Sequence, residues 1–69
     1  MYERYWLVTY THNGFKFVTF IYGTEEEMQE YMKSEFGYTL AYTGATDDEV
    51  KYGEKLGLSA YLAPKIKHH

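Results

Sequence analysis

The chain has 69 residues, a formal charge of −3 at pH 7, no Cys, one Pro and six Gly. That length holds one domain, expected to fill residues 1–69. Without Cys it makes no disulfide and no zinc site of the usual thiolate kind, so burial alone must hold it together. Fourteen residues are aromatic, nine of them Tyr, and so small a body cannot bury them all. Exposed aromatic surface is therefore expected.

The opening MYERY has no apolar stretch followed by a small-residue cleavage site, so no signal peptide is read there. No apolar run approaches the roughly 18 residues of a membrane-spanning helix. These features point to the cytoplasm and away from a membrane. Net acidity opposes generic binding to nucleic acid. The closing KIKHH, residues 65–69, is a small basic tail whose His pair carries no structural weight.

Residues 2–11, YERYWLVTYT, are β-branched and aromatic and predict a strand. His12-Asn13-Gly14 supplies the positive-φ residues of a tight hairpin turn. Residues 15–22, FKFVTFIY, predict the second strand. Alternation places Tyr2, Trp6 and Tyr10 on one face of the first strand and Tyr5 and Leu7 on the other. The second strand offers Phe15, Phe17 and Ile21 against Val18, Phe20 and Tyr22. Both faces are substantially apolar, so either both are covered or one displays aromatics to solvent or a partner.

Thr24-Glu25-Glu26-Glu27 forms a capping-box pattern. Met28, Tyr31, Met32 and Phe36 follow as one helical stripe, which predicts a helix over 24–36 with Gly37 as a left-handed C-terminal cap. Residues 38–43, YTLAYT, predict a third strand. The strand-helix-strand order sets it parallel to the second, with the first strand between them or at the edge. Gly44-Ala45 reads as a break. Thr46-Asp47-Asp48-Glu49 repeats the capping box and opens a short helix over about 47–56, with Val50, Leu56 and Tyr52 as its thin apolar face. Gly53 inside it costs about 1 kcal/mol relative to Ala. Residues 58–63, LSAYLA, are either a short edge strand or an apolar tail packed on the core.

The expected fold is α+β: a hairpin, a helix and a third strand (a ββαβ core), then a short helix and an apolar tail. The helices are expected on one face of a three- or four-stranded sheet. Catalytic signatures are missing. Ser34 and Ser59 lack a nucleophile-elbow context, and His12 reads as a solvated turn residue. No His/Asp/Glu spacing matches a zinc or calcium motif, so no metal or cofactor is expected. The two acidic clusters read as helix caps.

Gly14-Phe15-Lys16-Phe17-Val18-Thr19-Phe20 resembles the octapeptide of the RNA recognition motif, with Asn13 at its basic position and Lys16 at its small one. That resemblance implies base stacking by Phe15 and Phe17, with Phe20 turned inward. The family's first strand and helix have no counterpart here. Read without it, the aromatics mark a protein interface. The expected function is a non-catalytic binding module acting through protein–protein contact or self-association, of the regulator or inhibitor kind that phages and mobile elements carry. Its candidate contacts are Tyr2, Trp6, Tyr10, Phe15 and Phe17. If all five pack under the helix, Tyr5, Phe20 and Tyr22 take their place. The competing function is single-stranded nucleic-acid binding through the same face.

Overall fold

The computed structural model describes residues 2–36 and 39–64. The readings of Gly37 as a helix cap, of Tyr38 as the start of a strand and of the basic tail lie outside those residues. The elements are β1 (Arg4–His12), β2 (Phe15–Gly23), α1 (Glu25–Glu35), β3 (Thr39–Ala45), α2 (Asp47–Lys55) and β4 (Ser59–Leu62). They form one four-stranded sheet in the order β3-β1-β2-β4, with two helices packed on it. The fold is α+β, as the strand and helix order implied.

β1 and β2 pair antiparallel from Arg4 opposite Gly23 to His12 opposite Phe15. The turn between them holds Asn13 and Gly14 at φ 53° and 83°. Positive φ at both central residues matches the right-handed twist of the two strands, which is why Asn-Gly sits there. β3 joins the outer edge of β1, antiparallel, and runs through Gly44 and Ala45, where a break was expected. β1 thus lies between β2 and β3, one of the two placements left open. Residues 58–63 resolve into an edge strand: β4 pairs parallel to β2, Thr19 opposite Ser59 and Tyr22 opposite Leu62. The Thr19 hydroxyl is buried and donates to the Ser59 carbonyl at 3.0 Å, and the Ala63 amide extends the ladder to the Tyr22 carbonyl.

The helices do not share a face. Met28 and Met32 of α1 pack on Val8 and Ile21, all four fully buried. Val50 of α2 packs with Phe20 and Ala45, flanked by Tyr5, Leu7 and Leu58. Ile21 and Phe20 are neighbours on β2 and so point to opposite sides of the sheet. The physical reason lies in the connections. From β2 the chain crosses to β3 at one edge, and from β3 it crosses back to β4 at the other. Such crossovers are right-handed as a rule. Two right-handed crossovers running in opposite directions must pass over opposite faces. Each apolar face of the hairpin is therefore covered in part, by one helix.

Each helix starts as its sequence dictates. The Thr24 hydroxyl accepts from the Glu27 amide and the Glu27 carboxylate accepts from the Thr24 amide. Thr46 and Glu49 repeat the arrangement for α2. The acidic clusters lie in the first turns, where the helix dipole favours negative charge. α2 departs from its expected apolar face: Val50 is buried, but Tyr52 and Leu56 stand exposed. Gly53 is buried against the Phe20 ring, and a Cβ there would collide with that ring. The glycine is what lets a short helix sit close to the sheet.

Candidate functional site

Tyr2, Trp6, Tyr10, Phe15 and Phe17 belong to the α1 side of the sheet, but α1 divides them. Its methionines cover Val8 and Ile21 at the middle of the hairpin. Trp6 remains on one side of this core, and Tyr10, Phe17 and Phe15 on the other. Phe20 faces the opposite side and is buried under α2, with only 3% of its area exposed. Tyr5 and Tyr22 share that opposite face and meet edge-on at 4.8 Å.

At the Trp6 end, the indole Nε1 donates to the Gly23 carbonyl at 2.9 Å. The Arg4 guanidinium lies over the Trp6 and Tyr2 rings, 5.5 Å and 5.8 Å from their centroids. It fills the space above Gly44, where a Cβ would run into it. Arg4 Nε is buried there without a hydrogen-bond partner. The crevice bounded by Tyr2, Arg4, Trp6 and Glu25 holds about 150 Å³. That is below the roughly 300 Å³ where small-molecule sites begin.

At the other end the aromatics join. Tyr10 stacks on Phe17 at 5.6 Å and packs against Phe36 at 4.5 Å. Tyr31 and Tyr61 close the group, each about 6 Å from Phe36 and from each other (5.8, 6.2 and 6.1 Å). Five rings from β1, β2, α1, β4 and the residue after α1 form one continuous surface. Phe15 extends it towards the turn with 69% of its area exposed, and Phe17 is 43% exposed. Burial raises the Tyr10 pKa above its ordinary value, and Tyr61 adds to the shift. Burial raises that of Tyr31 too, followed by the nearby charge of Glu35 and the other two hydroxyls.

Tyr31, Phe36 and Tyr61 were not among the expected contacts. The sequence carried a signal for the first two: the helical stripe Met28, Tyr31, Met32 and Phe36 alternates methionine with aromatic residues. Tyr61 carried none, because its neighbourhood in the chain does not show that β4 returns beside β2.

The opposite face has an open apolar groove of about 420 Å³, lined by Leu7, Val18, Phe20, Leu56 and Leu58 with Tyr52 at its margin. Glu49 at its rim is held in the α2 capping box; the Thr46 amide lowers its pKa first, its hydroxyl next, and Arg4 contributes further. His12 is exposed at the end of β1. Among the described residues no group of three or more His, Asp or Glu is placed to hold a metal ion, and no helix is long and apolar enough to cross a membrane. No protein-family model matches the chain, and comparison with curated proteins and with solved structures returns no significant match.

Proposed function

We propose that this protein is a non-catalytic binding module that acts through protein–protein contact. The observation that carries the reading is the contiguous aromatic cluster at the turn end of the α1 side, in which Tyr10, Tyr31 and Phe36 pack against the methionine core and Phe15, Phe17 and Tyr61 stand exposed. Exposed, contiguous aromatic area on a small body favours association, and Tyr and Phe supply large contact area for few frozen torsions. The net charge of −3 supports a protein partner over a polyphosphate. A chain without Cys suits the cytoplasm, and we place the module there.

The test is affinity capture from the source organism's lysate, with and without nuclease, using the wild type and a Phe15→Ala/Phe17→Ala variant. The reading expects a discrete protein that survives nuclease and is lost with the variant. A partner retained by the variant removes the aromatic surface from the reading.

A second reading, single-stranded nucleic-acid binding, is favoured by one observation: Phe15 and Phe17 stand exposed on one face while Phe20 is buried on the other, the disposition the octapeptide resemblance implies. Against it, α1 covers the middle of the face on which bases would stack. This reading expects captured RNA or DNA, binding that weakens steeply with salt and loss of binding on Phe17→Ala.

A further inference from the structure

The two edges of the sheet are not alike. β4 is four residues long and is followed closely by Pro64. β3 is seven residues long, TLAYTGA, with no charge and no proline. Natural edge strands are commonly kept short or guarded by Lys, Pro or bulges. β3 has one such device, a register shift that leaves Leu40 unpaired with β1. From Ala41 to Ala45 it is regular and open on its outer side.

The α1 flank beside this edge carries Glu25, Gln29 and Lys33, one stripe at spacings of four. Its charge runs from negative through neutral to positive. Gln29 Nε2 donates to the Tyr42 hydroxyl at 3.0 Å, and that hydroxyl donates to Glu25 at 2.8 Å. The middle of the stripe, Gln29, is thus tied to the middle of the strand, Tyr42. A two-fold axis at Tyr42 would pair β3 with an antiparallel copy of itself. It would set the Glu25 end of one stripe towards the Lys33 end of the other, and so is complementary in charge. It would also place Ala41 opposite Thr43 and bring the exposed Leu40 against the partner's Gly44.

We propose that two copies of this chain associate through β3, antiparallel about a two-fold axis at Tyr42, to form one continuous eight-stranded sheet. Backbone hydrogen bonds supply the pairing. The reversed charge stripes select the antiparallel arrangement. The surface is separate from the aromatic one, so its fate does not depend on the function proposed above.

The test is sedimentation equilibrium over a dilution series on the wild type and two double variants. The Ala41 and Thr43 side chains are exposed, so lysines fit there. Ala41→Lys/Thr43→Lys sets like charges opposite each other twice, and its dimer should weaken by on the order of a hundredfold. Ala41→Lys/Thr43→Glu sets opposite charges there instead and should dimerise like the wild type. A wild type that stays monomeric into the millimolar range overturns the proposal. So does a double-lysine variant that stays dimeric, and a Lys/Glu variant that does not dimerise overturns the two-fold at Tyr42. Amide exchange on the wild type is independent of variant folding. β3 amides must gain protection as concentration rises, and equal exchange at all concentrations overturns the proposal.

Discussion

Gly53 shows how a residue can look costly alone and be required in context. Helix propensity favours Ala there by about 1 kcal/mol. The Phe20 ring occupies the place of the added methyl, and forcing a group into a packed interior costs about 1–3 kcal/mol. Gly53→Ala is expected to lower stability in urea unfolding, with α2 loosening before the rest of the chain; a stabilised variant would mean that Phe20 moves freely. Arg4 presents the opposite case. Its Nε is buried unpaired, while its Nη1 donates to the Tyr2 hydroxyl at 3.0 Å and the guanidinium lies over the Trp6 and Tyr2 rings. Arg4→Met removes the unpaired group together with these exposed contacts, and should change stability by no more than about 1 kcal/mol. The tyrosines give a third expectation. The pKa values of Tyr10, Tyr31 and Tyr42 are raised, Tyr42 chiefly by its hydrogen bond to Glu25. Groups raised in the fold contribute stability that is complete below the ordinary value of 10.0 and is lost as pH rises through the raised values. Absorbance titration should show tyrosinate forming later in the native protein than in urea, with the late phase reduced by substituting these three by Phe.

At the scale of elements, local chemistry dominates. The Asn-Gly turn, the Thr caps and the Met28–Met32 stripe act within a few residues of themselves, and the hairpin and α1 were legible for that reason. The limits of β3 were not, because Gly44 and Ala45 are held in the sheet by pairing to Trp6 and Tyr5 rather than by any preference of their own. The face of α2 was legible only in part: Val50 is buried as its sequence implied, but the close approach at Gly53 leaves Tyr52 and Leu56 outside. The caps lead to a pH expectation. The Glu49 pKa is lowered by the Thr46 amide and hydroxyl and by Arg4. A carboxylate lowered in the fold contributes stability present above its ordinary value of 4.5 and lost as pH falls through the folded value. The protection of α2 amides, taken relative to their intrinsic exchange rates, should therefore fall below that pH, and a Glu49→Gln variant should show a smaller change. Removing the cap with Thr46→Ala should cost about 1 kcal/mol.

For the whole molecule, the information missing from any single segment was the direction of the second crossover. Had residues 58–63 been placed on the far edge of β2, the handedness rule would have put the helices on opposite faces. Nothing within LSAYLA states which strand it joins. The same gap hid Tyr61 from the aromatic surface, while Phe15 and Phe17 were legible because alternation and the turn fix their side. The attachment of β4 rests on few contacts, the Thr19 hydroxyl bond among them. Thr19→Val removes that donor beneath a strand that is itself exposed, and should cost about 1 kcal/mol. Fluorescence or NMR of Tyr61 should report its release, and an unchanged Tyr61 environment would show that the backbone ladder suffices.

The strand directions have one more consequence. β1 and β4 flank β2, and Arg4 lies opposite Gly23 while Leu62 lies opposite Tyr22. The first residue of one flanking strand and the last of the other therefore stand at the same end of the sheet, two strand spacings apart, about 10 Å. A linker of roughly four residues reaches that far. Circular permutation is thus open to this fold: Ala63 joined to Glu3, with new ends cut between Asn13 and Gly14, should leave every strand its neighbours. Unfolding curves for the permuted and native chains would then differ chiefly by the lost hairpin turn.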